Sequence, residues 1–224
     1  MSWKCVCKEQ HNPDDSKVCK NCGRTRPKYL GIKLDLGPSD KMTREQKSVW
    51  YLMIAHDHLL ESDEYLKLER EFSEKLGDQN YSQPAIESKI AELKSKAEKC
   101  CSKCLTILDK SVALSPNAQF EDAKGYIQSI SSITSDCYFN LGSISFRRQN
   151  FEQAIEYYQK SYDSEPNQVS IYNIAMATIN LPVEGGGLFG GKKKQLAQEA
   201  KRAQEIELLK KTIKFAPFSE LGIF

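Results

Sequence analysis

The stretch that decides the fold is SDCYFNLGSISFRRQNFEQAIEYYQKSYDSEP, which occupies residues 135–166. Its apolar residues recur at the three- and four-residue intervals of an α-helix, with a polar break after Arg148. Gly142 and Ala154 carry small side chains, so two antiparallel helices can approach closely there while aromatic residues fill the space beside them. Pro166 stops the second helix. The stretch therefore predicts a tightly packed helix pair.

Helical periodicity extends over most of the chain from residue 42 onward. It predicts helices over residues 42–61, 63–76, 84–114, 119–148, 151–164, 168–181 and 194–215. Ser39, Asp40 or Thr43 can cap the first of these helices. Strand signals are nearly absent, so the predicted fold class is all-α, with one helical domain over residues 41–224.

The helix pair resembles the tetratricopeptide repeat, a unit of about 34 residues in which an aromatic residue, Leu-Gly, Ala, a second aromatic residue and Pro occur at set distances. The matching residues here are Tyr138, Leu141, Gly142, Ala154, Tyr158 and Pro166. A similar second-helix pattern recurs before Pro116 and before Pro217, so the resemblance implies an antiparallel helical-repeat array with lengthened elements. Residues 185–194 form a glycine-rich insert, which we expect to be a loop between repeat helices.

Arrays of this family bind an extended peptide or a partner helix on a concave face. The resemblance implies that an asparagine near the start of the first helix binds the ligand backbone, and this position falls on Asn140 and Asn173. Arg147 and Arg148 are the nearest candidates for contacting an acidic ligand. A second role stays open for both asparagines, in which they cap or bridge repeats.

Four cysteines near the start of the chain form a separate signal. They occur as two close pairs: Cys5 and Cys7, then Cys19 and Cys22. Four thiolates at such spacing suit the tetrahedral coordination of Zn²⁺, with bonds of roughly 2.3 Å, and a closed set of four sulfurs indicates a structural ion. The sequence therefore predicts one structural zinc in a domain over residues 1–29. This domain is too short to fold without the metal, and a linker over residues 30–40 follows it.

Trp3 before the first pair, Asn12 between the pairs and the closing Cys-x-x-Cys resemble Ran-binding-protein-type zinc fingers over residues 2–28, although the first pair is one residue tighter than usual. Some members of that family bind single-stranded RNA by stacking bases on the tryptophan among arginines. This implies RNA contacts for Trp3, Arg24 and Arg26. The residues also allow a purely structural role, in which Trp3 packs over the zinc-binding turns and the arginines are solvated.

Composition and charge narrow the class of protein. The chain has 224 residues, of which 40% are hydrophobic and 28% charged, with a formal net charge of +2, as in an ordinary soluble globular protein. No apolar run reaches the ~18 residues of a membrane-spanning helix, and the N-terminus lacks the apolar stretch of an export signal. We expect a cytoplasmic location, or a nuclear one if the source is eukaryotic, and the remaining cysteines fit a reducing compartment.

Two further pairs of metal-ligating residues occur in the helical domain. Cys100 and Cys104 lie one helical turn apart, which leaves a second metal or redox site open, although small cysteines on packed helix faces are common. His56 and His58 lie two positions apart and face different sides of a helix, which argues against a metal site at that pair.

These observations favour a non-catalytic adaptor that binds a protein or peptide partner through its repeats. The alternative is a nucleic-acid-binding protein whose zinc finger contacts single-stranded RNA. An enzyme is not favoured, because we find no paired carboxylates, no nucleophile with a base and no open metal site. The insert from Gly186 to Lys192 has the spacing of a nucleotide-phosphate loop, but Lys193 stands where Ser or Thr is needed. Neither a membrane nor a small-molecule substrate is predicted.

Overall fold

The computed structural model describes residues 2–4, 11–13, 40, 42–122, 124–181, 202, 203 and 206. Five helices are defined in these ranges: α1 (Arg44–Ser73), α2 (Gln83–Leu114), α3 (Ile130–Arg147), α4 (Phe151–Ser164) and α5 (Gln168–Asn180). Four short strands accompany them: β1 (Ser2–Lys4), β2 (His11–Pro13), β3 (Gln119–Glu121) and β4 (Ile127–Ser129). The described residues are mainly helical, which confirms the all-α class. The chain divides into two compact units, residues 1–140 and 141–224, and α3 contributes to both.

Helix α1 begins at a reciprocal cap. The Thr43 hydroxyl accepts a hydrogen bond from the backbone N–H of Gln46, and the Gln46 side chain accepts one from the backbone N–H of Thr43. The helix then continues without a break to Ser73, so the prediction of two helices separated near residue 62 is wrong. Ser62 is fully buried and its hydroxyl lies 3.1 Å from the sulfur of Cys101 on α2. Packing against α2 thus outweighs the weak helix propensity of this polar segment.

Helices α1 and α2 form an antiparallel pair, as three sets of side-chain contacts along their length show. Ser48 and Ser111 are both fully buried and exchange hydrogen bonds between each hydroxyl and the other residue's carbonyl, at 2.8 and 2.9 Å. The Ser62–Cys101 contact lies further along the pair, and the Lys94 ammonium reaches the Glu69 carboxylate beyond it, at 3.4 Å. The apolar core of this unit lies beside the pair and comprises Leu52, Met53, Ala55, Leu59, Cys104, Leu108, Ala118, Phe120, Ile133 and Cys137.

A β-hairpin stands where the sequence predicts the start of a long helix. Residues 119–129 form the antiparallel strands β3 and β4, so the helix predicted over 119–148 begins only at Ile130. Asp122 organises the connecting loop: its carboxylate accepts hydrogen bonds from the backbone N–H groups of Lys124 and Tyr126. Gly125 supplies the left-handed backbone that the turn needs, with φ at +89°. Turn chemistry therefore overrides the helical periodicity of this segment.

The ionisation of Asp122 follows from that loop. Burial alone would raise the pKa of the carboxyl group. The hydrogen bonds from Tyr126, Lys124 and Gln128, together with the charge of His56, outweigh burial and hold the pKa of Asp122 below its ordinary value. Phe120 connects the hairpin to the core: its side chain is 5% exposed and belongs to the same apolar cluster as Leu52 and Leu59 of α1.

The N-terminal segment is described only at β1 and β2. These strands pair antiparallel, with Trp3 opposite Asn12. Several predicted features lie outside the described residues: the zinc ligands Cys5, Cys7, Cys19 and Cys22, the arginines Arg24 and Arg26, almost all of the linker 30–40, and the insert 185–194. The helix predicted over 194–215 is described at Arg202, Ala203 and Ile206, all of which are helical. None of the helices in the described ranges is both long and apolar enough to cross a membrane.

Candidate functional site

The packing of α4 on the end of α3 depends on Gly142. A Cβ atom added at Gly142 would lie 2.7 Å from both Cδ1 and Cε1 of the Tyr158 ring. Tyr158 and Ala154 are buried on the facing side of α4, and the Tyr158 hydroxyl donates a 3.3 Å hydrogen bond to the Ser143 hydroxyl. Gly142 and Ala154 therefore allow the close approach that the sequence predicts.

Helices α4 and α5 are joined by a second small-residue contact. The hydroxyl groups of Ser161 and Ser170 are both fully buried and lie 2.9 Å apart. Asn167 caps α5, because its side-chain oxygen accepts a hydrogen bond from the backbone N–H of Ser170. At the other end of α5, the guanidinium of Arg202 donates a 2.7 Å hydrogen bond to the carbonyl of Leu181. The Ser161–Ser170 contact joins α5 to α4, the second helix of the clearest repeat unit.

Replacing Gly142 with alanine is expected to destabilise the protein. Alanine normally stabilises a helix relative to glycine by up to ~1 kcal/mol, but the added methyl group would overpack the Tyr158 ring, and overpacking costs about 1–3 kcal/mol. Urea denaturation of the full chain, followed by circular dichroism, measures the net change. The exposed Gln159→Ala is the control and should change stability little. A Gly142→Ala variant more stable than the wild type would contradict the close helix contact.

The predicted ligand-binding asparagines occupy two different environments. Asn140 is 8% exposed, and its amide nitrogen donates a 2.7 Å hydrogen bond to the Asp63 carboxylate on α1. This contact joins α3 to α1, and a ligand-binding role for Asn140 stays a prediction. Asn173 is half-buried on α5, where its amide nitrogen donates to the carbonyl of Val169 one turn earlier. Arg147 is half-buried in the last turn of α3, and its charge acts on Tyr158.

Three metal-ligating side chains meet between α1 and α2. His58 and Glu61 lie one turn apart on α1, and Cys100 projects from α2. One potential ligand atom from each lies within 4.8 Å of the other two, and this is the one such cluster in the described part of the chain. The His58 Nδ1 atom lies 3.6 Å from Glu61 Oε2. The Tyr65 hydroxyl donates a 3.2 Å hydrogen bond to Glu61 Oε1.

Burial differs across this cluster. Cys100 is 6% exposed, whereas the side chains of His58 and Glu61 on α1 are 25% and 27% exposed. Burial lowers the pKa of His58, and the Glu61 carboxylate offsets this only in part. Burial, together with the Glu61 carboxylate, raises the pKa of Cys100 to about 12. At neutral pH the imidazole is therefore uncharged and the thiol keeps its proton.

The cluster is not apparent from the sequence, because its members lie on two helices about 40 residues apart. His56 and His58 do point apart: the His56 ring packs edge-on against Phe120, with the centroids 5.4 Å apart. Cys104 belongs to the apolar core rather than to the cluster. The available signal was the spacing of His58 and Glu61, three residues apart on one helix face. No sequence signal links them to Cys100.

The other buried cysteines make contacts with one another. Cys100, Cys101, Cys104 and Cys137 are all free thiols. The pKa of Cys101 is raised by its contact with Cys137 and by burial. Cys137 feels opposing effects, since its contact with Cys101 lowers its pKa whereas Cys104 and burial raise it, and the net direction is upward. Thiols held protonated in this way are poor nucleophiles.

Comparison with known families supports the repeat. The tetratricopeptide repeat model matches residues 135–168. The matched segment runs from the middle of α3 through α4 to the first residue of α5, and includes the Gly142–Tyr158 contact. Neither the curated proteins nor the solved structures compared with this chain contain a match. The chain therefore contains a tetratricopeptide repeat at residues 135–168.

Proposed function

We propose that this protein is a non-catalytic adaptor that binds a protein or peptide partner through its helical repeats and carries a structural zinc finger near the start of the chain. The match at residues 135–168 carries the proposal. Repeats of this kind act by presenting helix surfaces to an extended peptide or a partner helix. The close contact of Gly142 with Tyr158 supports the assignment, because it is the small-residue packing such a helix pair requires.

The ligand-binding residues within this proposal are Asn173 and Arg147. Both are half-buried, so part of each side chain reaches solvent. Asn173 uses its amide nitrogen on its own helix, and an amide oxygen can accept a hydrogen bond from a ligand N–H. Asn140 is the weaker candidate, since it is almost fully buried and bound to Asp63. An acidic ligand group would pair with Arg147.

The zinc finger is supported by the β1–β2 pairing. The two strands flank residues 5–10, which include Cys5 and Cys7, and their register places Trp3 opposite Asn12. The pairing brings Lys4 and His11, the residues on either side of this segment in the sequence, next to each other. The donor chemistry also fits, because four cysteine thiolates are a usual ligand set for structural zinc. Binding of the ion by Cys5, Cys7, Cys19 and Cys22 would stabilise the folded state of residues 1–29.

A peptide selected against the full chain from a random displayed library tests the proposal. We expect Asn173→Ala to weaken binding of that peptide about tenfold or more, because losing a hydrogen bond at a bound interface costs about 1–3 kcal/mol. The affinity is measured by fluorescence anisotropy, and the helical circular dichroism of the variant should match the wild type. Arg147→Ala should weaken peptides that contain Asp or Glu more than peptides that lack them.

The matched control is Asn140→Ala. It should lower stability, because it removes a buried hydrogen bond to Asp63, while leaving peptide affinity less changed than Asn173→Ala does. Peptide binding that neither Asn173→Ala nor Arg147→Ala alters would show that the ligand site lies elsewhere. Failure to select any peptide would overturn the adaptor proposal.

RNA binding stays a prediction, since it rests on Arg24, Arg26 and the side chain of Trp3. A single-stranded oligonucleotide is therefore the second ligand in the same assay. Binding that weakens steeply with salt would favour the nucleic-acid alternative, because phosphate contacts release counterions. A cytoplasmic or nuclear location belongs to the same proposal, and the four free buried thiols suit a reducing compartment.

A further inference from the structure

We propose that His58, Glu61 and Cys100 form a binding site for one divalent transition-metal ion of the zinc class, which joins α1 to α2. The site is separate from the four N-terminal cysteines and from the repeat. Its ligands come from two helices that are already paired along their length.

The donor set selects this class of metal. One imidazole nitrogen, one carboxylate oxygen and one thiolate sulfur suit Zn²⁺, whereas Mg²⁺ and Ca²⁺ prefer oxygen ligands alone. The charges also balance, because the carboxylate and the thiolate together offset the charge of a divalent cation. On binding, the Cys100 thiol releases its proton to solvent and its sulfur donates a lone pair to the metal.

The distance between His58 and Glu61 supports coordination. The His58 Nδ1 atom is buried and has no hydrogen-bond partner among the described residues. It lies 3.6 Å from Glu61 Oε2, which is long for a hydrogen bond. Two ligand atoms of a tetrahedral zinc site, each about 2.0–2.1 Å from the metal, stand about 3.4 Å apart. The His58 Nδ1 and Glu61 Oε2 atoms are therefore nearly as far apart as two ligand atoms on the same tetrahedral zinc ion.

Neighbouring contacts hold the ligands in place. The Tyr65 hydroxyl binds Glu61 Oε1, which directs Oε2 towards His58; such contacts orient metal ligands. The Ser62–Cys101 contact fixes the two helices directly beside the cluster. The positive charge of Lys103 opposes cation binding, because it lies close enough to lower the pKa of both His58 and Cys100. Its side chain is exposed, so it can turn into solvent when a cation binds.

The site has three protein ligands, and the side chains of His58 and Glu61 are partly exposed. A fourth tetrahedral position is then available to water or an external ligand. Because the three ligands meet only when α1 and α2 are packed together, the metal would bind the folded unit and stabilise it by mass action. Metal binding at this site would thus stabilise the packing of α1 against α2.

Cobalt titration of the metal-stripped full chain tests this proposal. We expect Cys100→Ala and Glu61→Gln each to bind one equivalent of Co²⁺ fewer than the wild type. Cys100→Ala should also lose a sulfur-to-cobalt charge-transfer absorption in the near ultraviolet. The controls Cys104→Ala, a neighbouring buried cysteine, and Glu71→Gln, an exposed carboxylate on the same helix, should bind as much as the wild type.

A Cys19→Ser variant separates this site from the zinc finger. It should lose only the metal bound by the N-terminal cysteines and keep the equivalent that Cys100→Ala removes. If Cys100→Ala disturbs folding, Glu61→Gln with wild-type circular dichroism decides the question. Binding by Cys100→Ala and Glu61→Gln equal to that of the wild type would overturn the site, as would a wild type that binds only the metal removed by Cys19→Ser.

Discussion

Replacing Lys94 with methionine is expected to lower the free energy of unfolding by about 3–5 kcal/mol, the usual cost of removing one partner of a buried ion pair. The Lys94 ammonium lies 3.4 Å from the Glu69 carboxylate, and the two side chains are 13% and 2% exposed. The Ser73 hydroxyl also donates to that carboxylate, at 3.2 Å. In the Lys94→Met variant, the buried Glu69 carboxylate would lose the positive charge of Lys94, which lowers the stability of the folded state.

Urea denaturation of the full chain measures this effect, with hydrogen exchange over α1 and α2 as the local readout, because two compact units can unfold in separate transitions. The double variant Glu69→Leu with Lys94→Met should recover most of the lost stability, since no buried charge remains. Glu92→Gln is the surface control: Glu92 pairs with Lys89 and Lys96 on an exposed face of α2, where ion pairs contribute little. A Lys94→Met variant as stable as Glu92→Gln would show that the Glu69 carboxylate is not confined as the structure places it.

Replacing Tyr158 with alanine is expected to cost about 3–5 kcal/mol, the range for removing a large aromatic side chain from a packed interior. The Tyr158 side chain is 2% exposed, and its ring packs directly on Gly142. Position 142 has no side chain that could move in to fill the space. Hydrogen exchange of residues 141–168 and urea denaturation should both report the loss.

Two matched variants separate packing from hydrogen bonding at this position. Tyr158→Phe keeps the ring and loses only the 3.3 Å hydrogen bond to Ser143, so it should cost about 1 kcal/mol or less. Tyr157→Ala removes the adjacent tyrosine, which is only half-buried and lies beside Lys160, and should cost less than Tyr158→Ala. Equal losses for Tyr157→Ala and Tyr158→Ala would contradict the packing of α4 on α3.

Helix α4 is predictable from the sequence because its signals are local. The predicted span 151–164 matches the helix, because its signals lie within a few residues of its ends: a polar break before Phe151 and Pro166 after Ser164. Thr43 likewise caps α1 through a contact with Gln46 that three residues of sequence contain. The repeat at residues 135–168 was predictable for the same reason, since its small and aromatic residues occur at fixed spacing.

The errors arose where tertiary contacts competed with local signals. The sequence predicts a break in α1 near residue 62, but burial of Ser62 against Cys101 keeps the helix continuous. It predicts helix at residues 119–129, where the loop held by Asp122 and the burial of Phe120 in the core favour a hairpin. Periodicity alone does not show whether a short apolar segment has a partner strand.

By itself, then, the sequence determined two features that depend on neighbours along the chain: the all-α class, and the helix pair with Gly142 and Ala154 at its contact. The zinc finger stays a prediction. The tertiary structure alone decided which distant residues meet. In the folded chain, Asn140 donates a hydrogen bond to Asp63, and Cys100 lies close to His58 and Glu61. The physical reason is that helix formation depends on short-range spacing, whereas side-chain pairing across α1 and α2 depends on a packing register that no local pattern encodes.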